Sequence, residues 1–153
     1  MPRHEKLRSS VKLLLDHLPL SLAVGVAGWW LSGDSGCLLA ALLAGWMIDA
    51  DHLVDFGVYL RRVGRAADYS LLKTGRYFKL NDMVVVPLHA WEITLGLGAL
   101  AVLLPDSRHL FASAALAHGL HLLQDQLAYG VRRQGYWLLS RLSHGFAHKG
   151  FCE

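Results

Sequence analysis

Four apolar stretches dominate this sequence, and acidic residues or histidines interrupt each of them. A charge at the centre of a lipid bilayer costs about 2.5–3.5 kcal/mol on insertion scales, so ionisable residues there usually face a bundle interior and serve a function. The pattern therefore favours helices that enclose a shared polar layer. The residues concerned are Asp16, His17, Asp49, Asp51, His52, Asp55, His89, Glu92, His118, His121 and Asp125.

The composition points to a membrane protein of one domain. Of the 153 residues, 54% are hydrophobic and only 18% are charged, which is unusual for a soluble domain. Crossing the hydrocarbon core takes about 20 apolar residues, and we expect the first span to be retained rather than cleaved as a signal. The sequence predicts an all-α fold, an integral membrane four-helix bundle in the single domain 1–153. The predicted spans are 13–32, 36–60, 84–104 and 110–129, with a basic cytoplasmic loop 61–83 and an amphipathic interfacial tail 130–153.

The basic residues define the orientation of these spans. Four lie before the first span, six between the second and third, and four after the last, which makes 14 of the 15. Only Arg108 lies in the opposite turns. The positive-inside rule then predicts a multi-pass protein of the cell (inner) membrane with both termini in the cytoplasm. This one-sided charge accounts for the basic isoelectric point without a nucleic-acid partner, and the predicted partner is membrane lipid. Cys37 and Cys152 fall on opposite sides, so no disulfide is expected.

With this orientation, the polar residues of all four spans lie at one depth, in the cytoplasmic half of the bundle. His118, His121 and Asp125 fall within about 60° of one another on a helix, which makes a narrow stripe. His89 and Glu92 are three residues apart and would share a helix face. His17 enters the first span from the same side. We therefore expect these side chains to meet in space.

Histidines together with carboxylates are the ligands of a divalent metal, most plausibly zinc. Asp49 and Asp51 lie about 200° apart on an ideal helix, so both can reach one metal only if the helix loosens there. Otherwise one of them orients a histidine by a hydrogen bond. Three further interpretations stay open: Asp55 facing water or Arg61, His118 bonding a neighbouring helix, and a structural network or proton path without metal. The predicted ligands are Asp49, Asp51, His52, His89, His121 and Asp125, with Asp55 and His118 as additional candidates.

Two short motifs resemble those of a known family. The segments Asp49-Ala-Asp51-His52 and His121-Leu-Leu-Gln-Asp125 are similar to the D-x-D-H and H-x-x-x-D motifs of the small membrane-bound metal-dependent hydrolases of the YdjM-like group. The resemblance implies a hydrolase activity and a metal-ligating histidine near the amino terminus, for which His17 is the candidate. This sequence departs from the family at the middle element. Where the family has a histidine-rich H-R-G-x-T-H-S segment, this chain has Pro87-Leu88-His89-Ala90-Trp91-Glu92.

The leading hypothesis is a membrane metallohydrolase that acts at the cytoplasmic face on a lipid ester or phosphoester. In it Glu92 accepts the proton of the attacking water, and Arg76 and Lys79 hold a phosphate headgroup. No nucleophile elbow, P-loop or dinucleotide fingerprint is present, which disfavours those chemistries. The rival is a non-enzymatic membrane protein, either a metal or proton carrier or a scaffold with a structural metal. The outer halves of the spans lack ionisable residues, which argues against transport through a monomer.

Overall fold

The computed structural model of the chain describes residues 10–64, 68–74, 76–129 and 131–151. In this part of the chain the secondary structure is helical without a strand, which confirms the prediction of an all-α fold. Residues 1–9, Arg65 and Cys152 lie outside the described residues. The α-helices are α1 (Ser10–Ser32), α2 (Gly36–Gly45), α3 (Asp51–Val63), α4 (Tyr69–Thr74), α5 (Arg76–Asn81), α6 (Trp91–Leu103), α7 (Arg108–Tyr129), α8 (Leu138–Ser143) and α9 (His148–Phe151).

Helices α1, α2, α6 and α7 form a bundle in which α7 packs against the other three. Small residues allow the close approach of α1, α2 and α7. At Gly45, at the end of α2, an added Cβ would lie 2.6 Å from Ser21 Oγ and 2.8 Å from Ala117 Cβ. Only a residue without a side chain fits between these helices, as is common where helices pack backbone to backbone. The contact brings the last turn of α2 directly against α7.

The second predicted span is broken in the middle. Helix α2 ends at Gly45, a 3₁₀ turn follows at Met47–Ala50, and α3 continues to Val63, where Gly64 in the left-handed conformation ends it. The two parts are bent by 44°. No single helix in the described part of the chain is long and apolar enough to cross a membrane by itself, whereas this bent pair meets the test of length and composition.

The third predicted span begins later than the apolar pattern indicated. Residues 84–90 form irregular backbone, and α6 begins only at Trp91. Pro87 lacks the N–H that a helix interior needs, and a proline disfavours the helical conformation at the residue before it. His89 therefore precedes the helix that carries Glu92, and the prediction that the two share a helix face was wrong. We call residues 84–90 the histidine segment.

The chain after α7 folds back over this segment. Val131, Tyr136 and Phe151 are buried in one cluster with Val84 and Val86 of the histidine segment. The N–H of Val84 donates to the carbonyl of Phe146 (2.9 Å). The predicted interfacial tail thus packs against the protein with one side, and Leu139 and Leu142 on α8 are exposed on the other.

Candidate metal centre

Three elements place donor atoms around Asp49, which lies in the 3₁₀ turn between α2 and α3. Asp49 Oδ1 is 3.4 Å from His89 Nε2 in the histidine segment and 3.4 Å from His121 Nε2 on α7. It is also 3.5 Å from His52 Nε2 at the start of α3. Asp125, one turn after His121, completes the group and places Oδ2 3.4 Å from His121 Nε2 and 3.7 Å from His89 Nε2.

These separations have the size expected between ligands of one metal ion. Bonds of 2.0–2.2 Å from zinc to histidine nitrogen or carboxylate oxygen give tetrahedral edges of about 3.3–3.6 Å. The corresponding distances among Asp49 Oδ1, His89 Nε2, His121 Nε2 and Asp125 Oδ2 range from 3.1 to 3.7 Å over the five pairs described. Most of them are longer than a good hydrogen bond.

In each histidine ring, the contact made by Nδ1 determines whether Nε2, which faces the cluster, carries a proton. His121 Nδ1 lies 2.7 Å from the carbonyl oxygen of Gly45, which can only accept, so this nitrogen carries the proton. His89 Nδ1 lies 3.0 Å from Asp51 Oδ2 and donates to that carboxylate. The hydrogen-bond network thus assigns both Nε2 atoms as unprotonated in the neutral rings. These two Nε2 atoms face each other at 3.1 Å.

Two nitrogen lone pairs and a carboxylate oxygen cannot converge at this distance without a cation between them. Either a metal ion or an additional proton on a ring must supply the positive charge. Three overlapping sets of donor atoms lie close enough together to hold a metal ion. The buried histidines and aspartates of this chain could therefore bind a metal. The sets are His17, Asp49 and His121; Asp49, His52 and His89; and His89, His121 and Asp125.

Two further side chains contact the carboxylate of Asp125. Its Oδ2 accepts the hydroxyl of Tyr136 at 3.0 Å, and its Oδ1 lies 3.1 Å from His17 Nε2 on α1. The His17 ring stacks on His121 with 3.8 Å between ring centroids. His17, which the resemblance implied as a ligand, is therefore part of the cluster and contacts it through Asp125 and His121.

The cluster opens to the outside at His52. Its side chain is 28% exposed, whereas those of the other cluster members are at most 5% exposed. His52 Nδ1 lies 3.3 Å from the hydroxyl of Tyr77 on α5, and the ring contacts Phe78 edge to face. Burial, reinforced by the carboxylates of Asp55 and Asp51, raises the pKa of Tyr77, so its hydroxyl stays protonated.

Of the two competing aspartates, Asp49 points into the cluster and Asp51 lies outside it. Asp51 Oδ2 accepts both His89 Nδ1 and the N–H of Leu88 (2.9 Å). The 3₁₀ turn at Met47–Ala50 separates the directions of the two side chains. Asp51 was predicted either as a ligand or as the residue that orients a histidine, and its contacts fit the second alternative.

Three other candidates are engaged in structural contacts. Asp55 Oδ1 accepts the N–H of Val85 (2.8 Å). His118 contacts Thr94 Oγ1 through Nδ1 (2.7 Å) and donates from Nε2 to the carbonyl of Leu88 (3.0 Å), so neither nitrogen is available to a metal. Both oxygens of Glu92 accept N–H groups at the start of α8, from Leu138 and Leu139. The contacts of His118 fit the open interpretation in which it bonds a neighbouring helix, and Glu92 bonds the backbone of α8; the role of Glu92 as a proton acceptor stays a prediction.

Sequence reasoning missed the role of Arg141 on α8. This residue was grouped with the interfacial cations of the tail, yet it is buried, with 3% exposure. Its guanidinium donates to the carbonyls of Val85, Val86 and His89 at 2.6–2.8 Å. Burial lowers the pKa of Arg141, but guanidinium groups remain charged in proteins. Arg76 and Lys79, the predicted phosphate contacts, are exposed on α5 beside Tyr77.

No family of known proteins, no curated protein and no solved structure matches this chain. The case for its function accordingly rests on the cluster and on the surface around it.

Proposed function

We propose that this chain is a metal-dependent hydrolase of the cell membrane that acts at the cytoplasmic face on a lipid ester or phosphoester. The observation that supports it most is the convergence of Asp49 Oδ1, His89 Nε2 and His121 Nε2 within 3.4 Å. These atoms and Asp125 Oδ2 would hold the ion, which we propose to be zinc. A bound divalent ion lowers the pKa of a coordinated water toward about 7, which supplies a nucleophile at neutral pH.

The donor set favours a catalytic over a structural metal. Structural zinc sites are usually closed and rich in cysteine, whereas catalytic sites use histidines with a carboxylate and keep one position open. The one cysteine in the described part of the chain, Cys37, is buried on α2 and belongs to none of the candidate metal sets. The partial exposure of His52 gives water and substrate access to one edge.

The surface beside this edge suits an anionic headgroup. Helix α5 contacts His52 through Tyr77 and Phe78, and it carries the exposed cations Arg76 and Lys79. Arginine and lysine bind phosphate oxygens by charge-assisted hydrogen bonds. We propose that these two residues hold the phosphate of a lipid while its ester bond reaches the cluster.

Exposed apolar side chains support a membrane location. They occur on all four bundle helices, and no residue of α6 is buried. Soluble monomers rarely expose contiguous apolar surface larger than a few hundred Å². Examples are Val26, Trp30, Leu39, Leu43, Leu95, Val102, Leu103, Leu116 and Leu127.

The first experiment is metal analysis of the protein purified in detergent. We expect a tightly bound divalent transition metal, lost in His121→Ala and retained in the control His109→Ala. His109 is an exposed histidine on the same helix. A wild-type protein that contains no metal after purification without chelators would contradict metal binding, and with it the whole proposal.

The second experiment separates an enzyme from a scaffold with a structural metal. The metal-loaded protein is incubated with a phospholipid extract, and released fatty acid and phosphate are measured. We expect release that stops with a chelator and in His121→Ala. A loaded protein that changes no lipid would favour the scaffold.

A further inference from the structure

Two histidines of the cluster are left over when an ion takes four protein ligands and keeps a fifth position open for water. His17 contacts Asp125, and His52 lies at the exposed edge. Asp49 Oδ1, His89, His121 and Asp125 provide four donors, and His52 Nε2 lies beyond them, 3.5 Å from Asp49 Oδ1. The protonated Tyr77 hydroxyl lies 3.4 Å from the carbonyl oxygen of His52, to which it donates. With its proton directed there, the hydroxyl oxygen accepts a hydrogen bond from the Nδ1–H group of His52. This arrangement leaves a lone pair on His52 Nε2, directed at Asp49.

Asp49 also has a carboxylate oxygen that the first ion does not use. The residue is 94% buried, since its exposure is 6%, and neither of its carboxylate oxygens accepts a hydrogen bond within the described part of the chain. A buried carboxylate without hydrogen bonds requires a positive partner. One ion on Oδ1 leaves Oδ2 without one. The donor atoms of Asp49, His52 and His89 lie within 4.8 Å of one another, so His52 belongs to a set that could hold a metal ion and that shares Asp49 and His89 with the inner ion.

We propose that the metal centre binds a second divalent ion at its open edge, held by His52 Nε2 and the second oxygen of Asp49. Asp49 thereby bridges the two ions. The inner ion is the one of the proposed function, on which this inference rests. Because only two protein atoms hold the outer ion, water or the phosphate oxygens of a substrate complete its ligands. We therefore expect it to bind more weakly than the inner ion.

The charge of the centre supports a second ion. Asp49, Asp51, Asp55 and Asp125 bring four negative charges into a buried region, and the guanidinium of Arg141 offsets one of them. One divalent ion leaves a net charge of about −1, which repels a phosphoester. A second ion changes the net charge to about +1, which attracts one. Two-metal sites with ions about 3.5–4 Å apart stabilise phosphate oxygens in this way.

The test is the number of ions bound to each chain, measured with Mn²⁺ by equilibrium dialysis of the purified protein. We expect two in the wild type, one tight and one weak, and only the tight one in His52→Ala. His121→Ala should lose the tight ion, and His144→Ala, an exposed histidine on the tail, should bind both. Retention of the tight ion in His52→Ala shows that this variant is folded.

Electron paramagnetic resonance adds a readout that does not depend on activity. Two Mn²⁺ ions that share a carboxylate give a spin-coupled signal, so the saturated wild type should show coupling and His52→Ala should show isolated ions. Inorganic phosphate should tighten binding of the weak ion in the wild type and have no effect in His52→Ala. One ion per chain at saturation, or two in His52→Ala, would overturn the inference.

This outcome is separable from that of the proposed function. Two ions with no change in any lipid would remove the hydrolase and leave the second site intact. One ion together with chelator-sensitive lipid release would support the hydrolase and refute the second site.

Discussion

At the scale of single residues, Asp51 illustrates how the cluster is held from outside. Its carboxylate accepts His89 Nδ1 and the N–H of Leu88, so one side chain fixes both the ring and the backbone next to it. A carboxylate behind a ligating histidine keeps the metal-binding nitrogen unprotonated and raises its basicity. Asp51 should therefore affect metal affinity without touching the ion.

We expect Asp51→Ala to weaken metal binding by roughly 10–100-fold, the range found for such outer partners. Asp51→Asn should recover part of the loss, because the amide oxygen still accepts one hydrogen bond. Competition with a chromophoric chelator measures the dissociation constants. Asp55→Asn on the same helix serves as the control, since Asp55 bonds only the N–H of Val85 among the contacts described. Equal losses in both variants would show a general effect of removing buried charge rather than positioning of His89.

The residue types of the metal centre were predictable from the sequence. Which of them would face the metal and which would position another side chain was not predictable. Histidines and aspartates in apolar segments indicated a shared site. Which of Asp49 and Asp51 points inward depends on the 3₁₀ turn at Met47–Ala50, and an ideal helix does not describe that turn. The contacts of Glu92 were not predictable either, because its partners are N–H groups of α8, 46 and 47 residues later in the chain.

At the scale of elements, the histidine segment is irregular backbone inside a helical bundle. Buried N–H and C=O groups need partners, and a helix would have supplied them internally. Here side chains from three helices supply them instead: Asp51 and Asp55 from α3, His118 from α7 and Arg141 from α8. The segment therefore depends on the rest of the fold for its shape.

This dependence explains which elements were predictable. Helices α1 and α7 follow apolar runs with few interruptions, and the sequence placed their spans within a few residues of the observed bounds. The unwound histidine segment is as apolar as a helix, so its hydropathy predicted a helix. Its conformation follows from Pro87 and from long-range bonds to Arg141 that no local pattern reveals.

We expect Arg141→Met to destabilise the protein and weaken metal binding together. The change removes the donors to the half-buried carbonyl of Val85 and the buried carbonyl of His89, whereas the carbonyl of Val86 still accepts the N–H of His89. An unsatisfied buried group costs about 1–3 kcal/mol, partly relieved by rearrangement. Arg141→Lys should be intermediate, because an ammonium is a compact charge without the planar fork of a guanidinium. Urea unfolding and chelator competition measure the two effects.

Arg133→Met, an exposed cation on the same C-terminal segment, is the matched control for Arg141→Met. It should leave both the free energy of unfolding and the metal affinity unchanged. A stable Arg141→Met variant that binds metal like the wild type would show that the histidine segment keeps its shape without the guanidinium.

At the scale of the whole molecule, polar and apolar surfaces are separated along the bundle. The exposed cations belong to α3, α5 and the C-terminal segment, and the same elements contribute His52, Tyr77 and Tyr136 to the cluster and its surroundings. The connections between α1 and α2 and between α6 and α7 carry Asp34 and Asp106, Arg108 begins α7, and the bundle helices expose apolar side chains. This distribution fits a bilayer with the cluster near its cytoplasmic surface. The cations concerned are Arg61, Arg62, Arg76, Lys79, Arg132, Arg133 and Lys149.

The predicted orientation can be tested with single cysteines in a Cys37→Ser, Cys152→Ser background. Ser107→Cys lies in the exposed turn before α7, and Ser143→Cys lies at the exposed end of α8. In intact spheroplasts a membrane-impermeant maleimide should label the Ser107→Cys variant. The Ser143→Cys variant should react only after permeabilisation, because positive-inside orientation puts the tail in the cytoplasm.

Alkaline carbonate extraction distinguishes a spanning protein from one bound to the surface. A bundle held by apolar helices in lipid should stay in the membrane pellet, since carbonate removes proteins held by charge alone. Release into the supernatant, with equal protection of both cysteines in intact spheroplasts, would place the whole chain on one side of the bilayer. The exposed apolar surfaces of α1, α2, α6 and α7 would then need a protein partner, and a lipid substrate would have to leave the bilayer to reach His52.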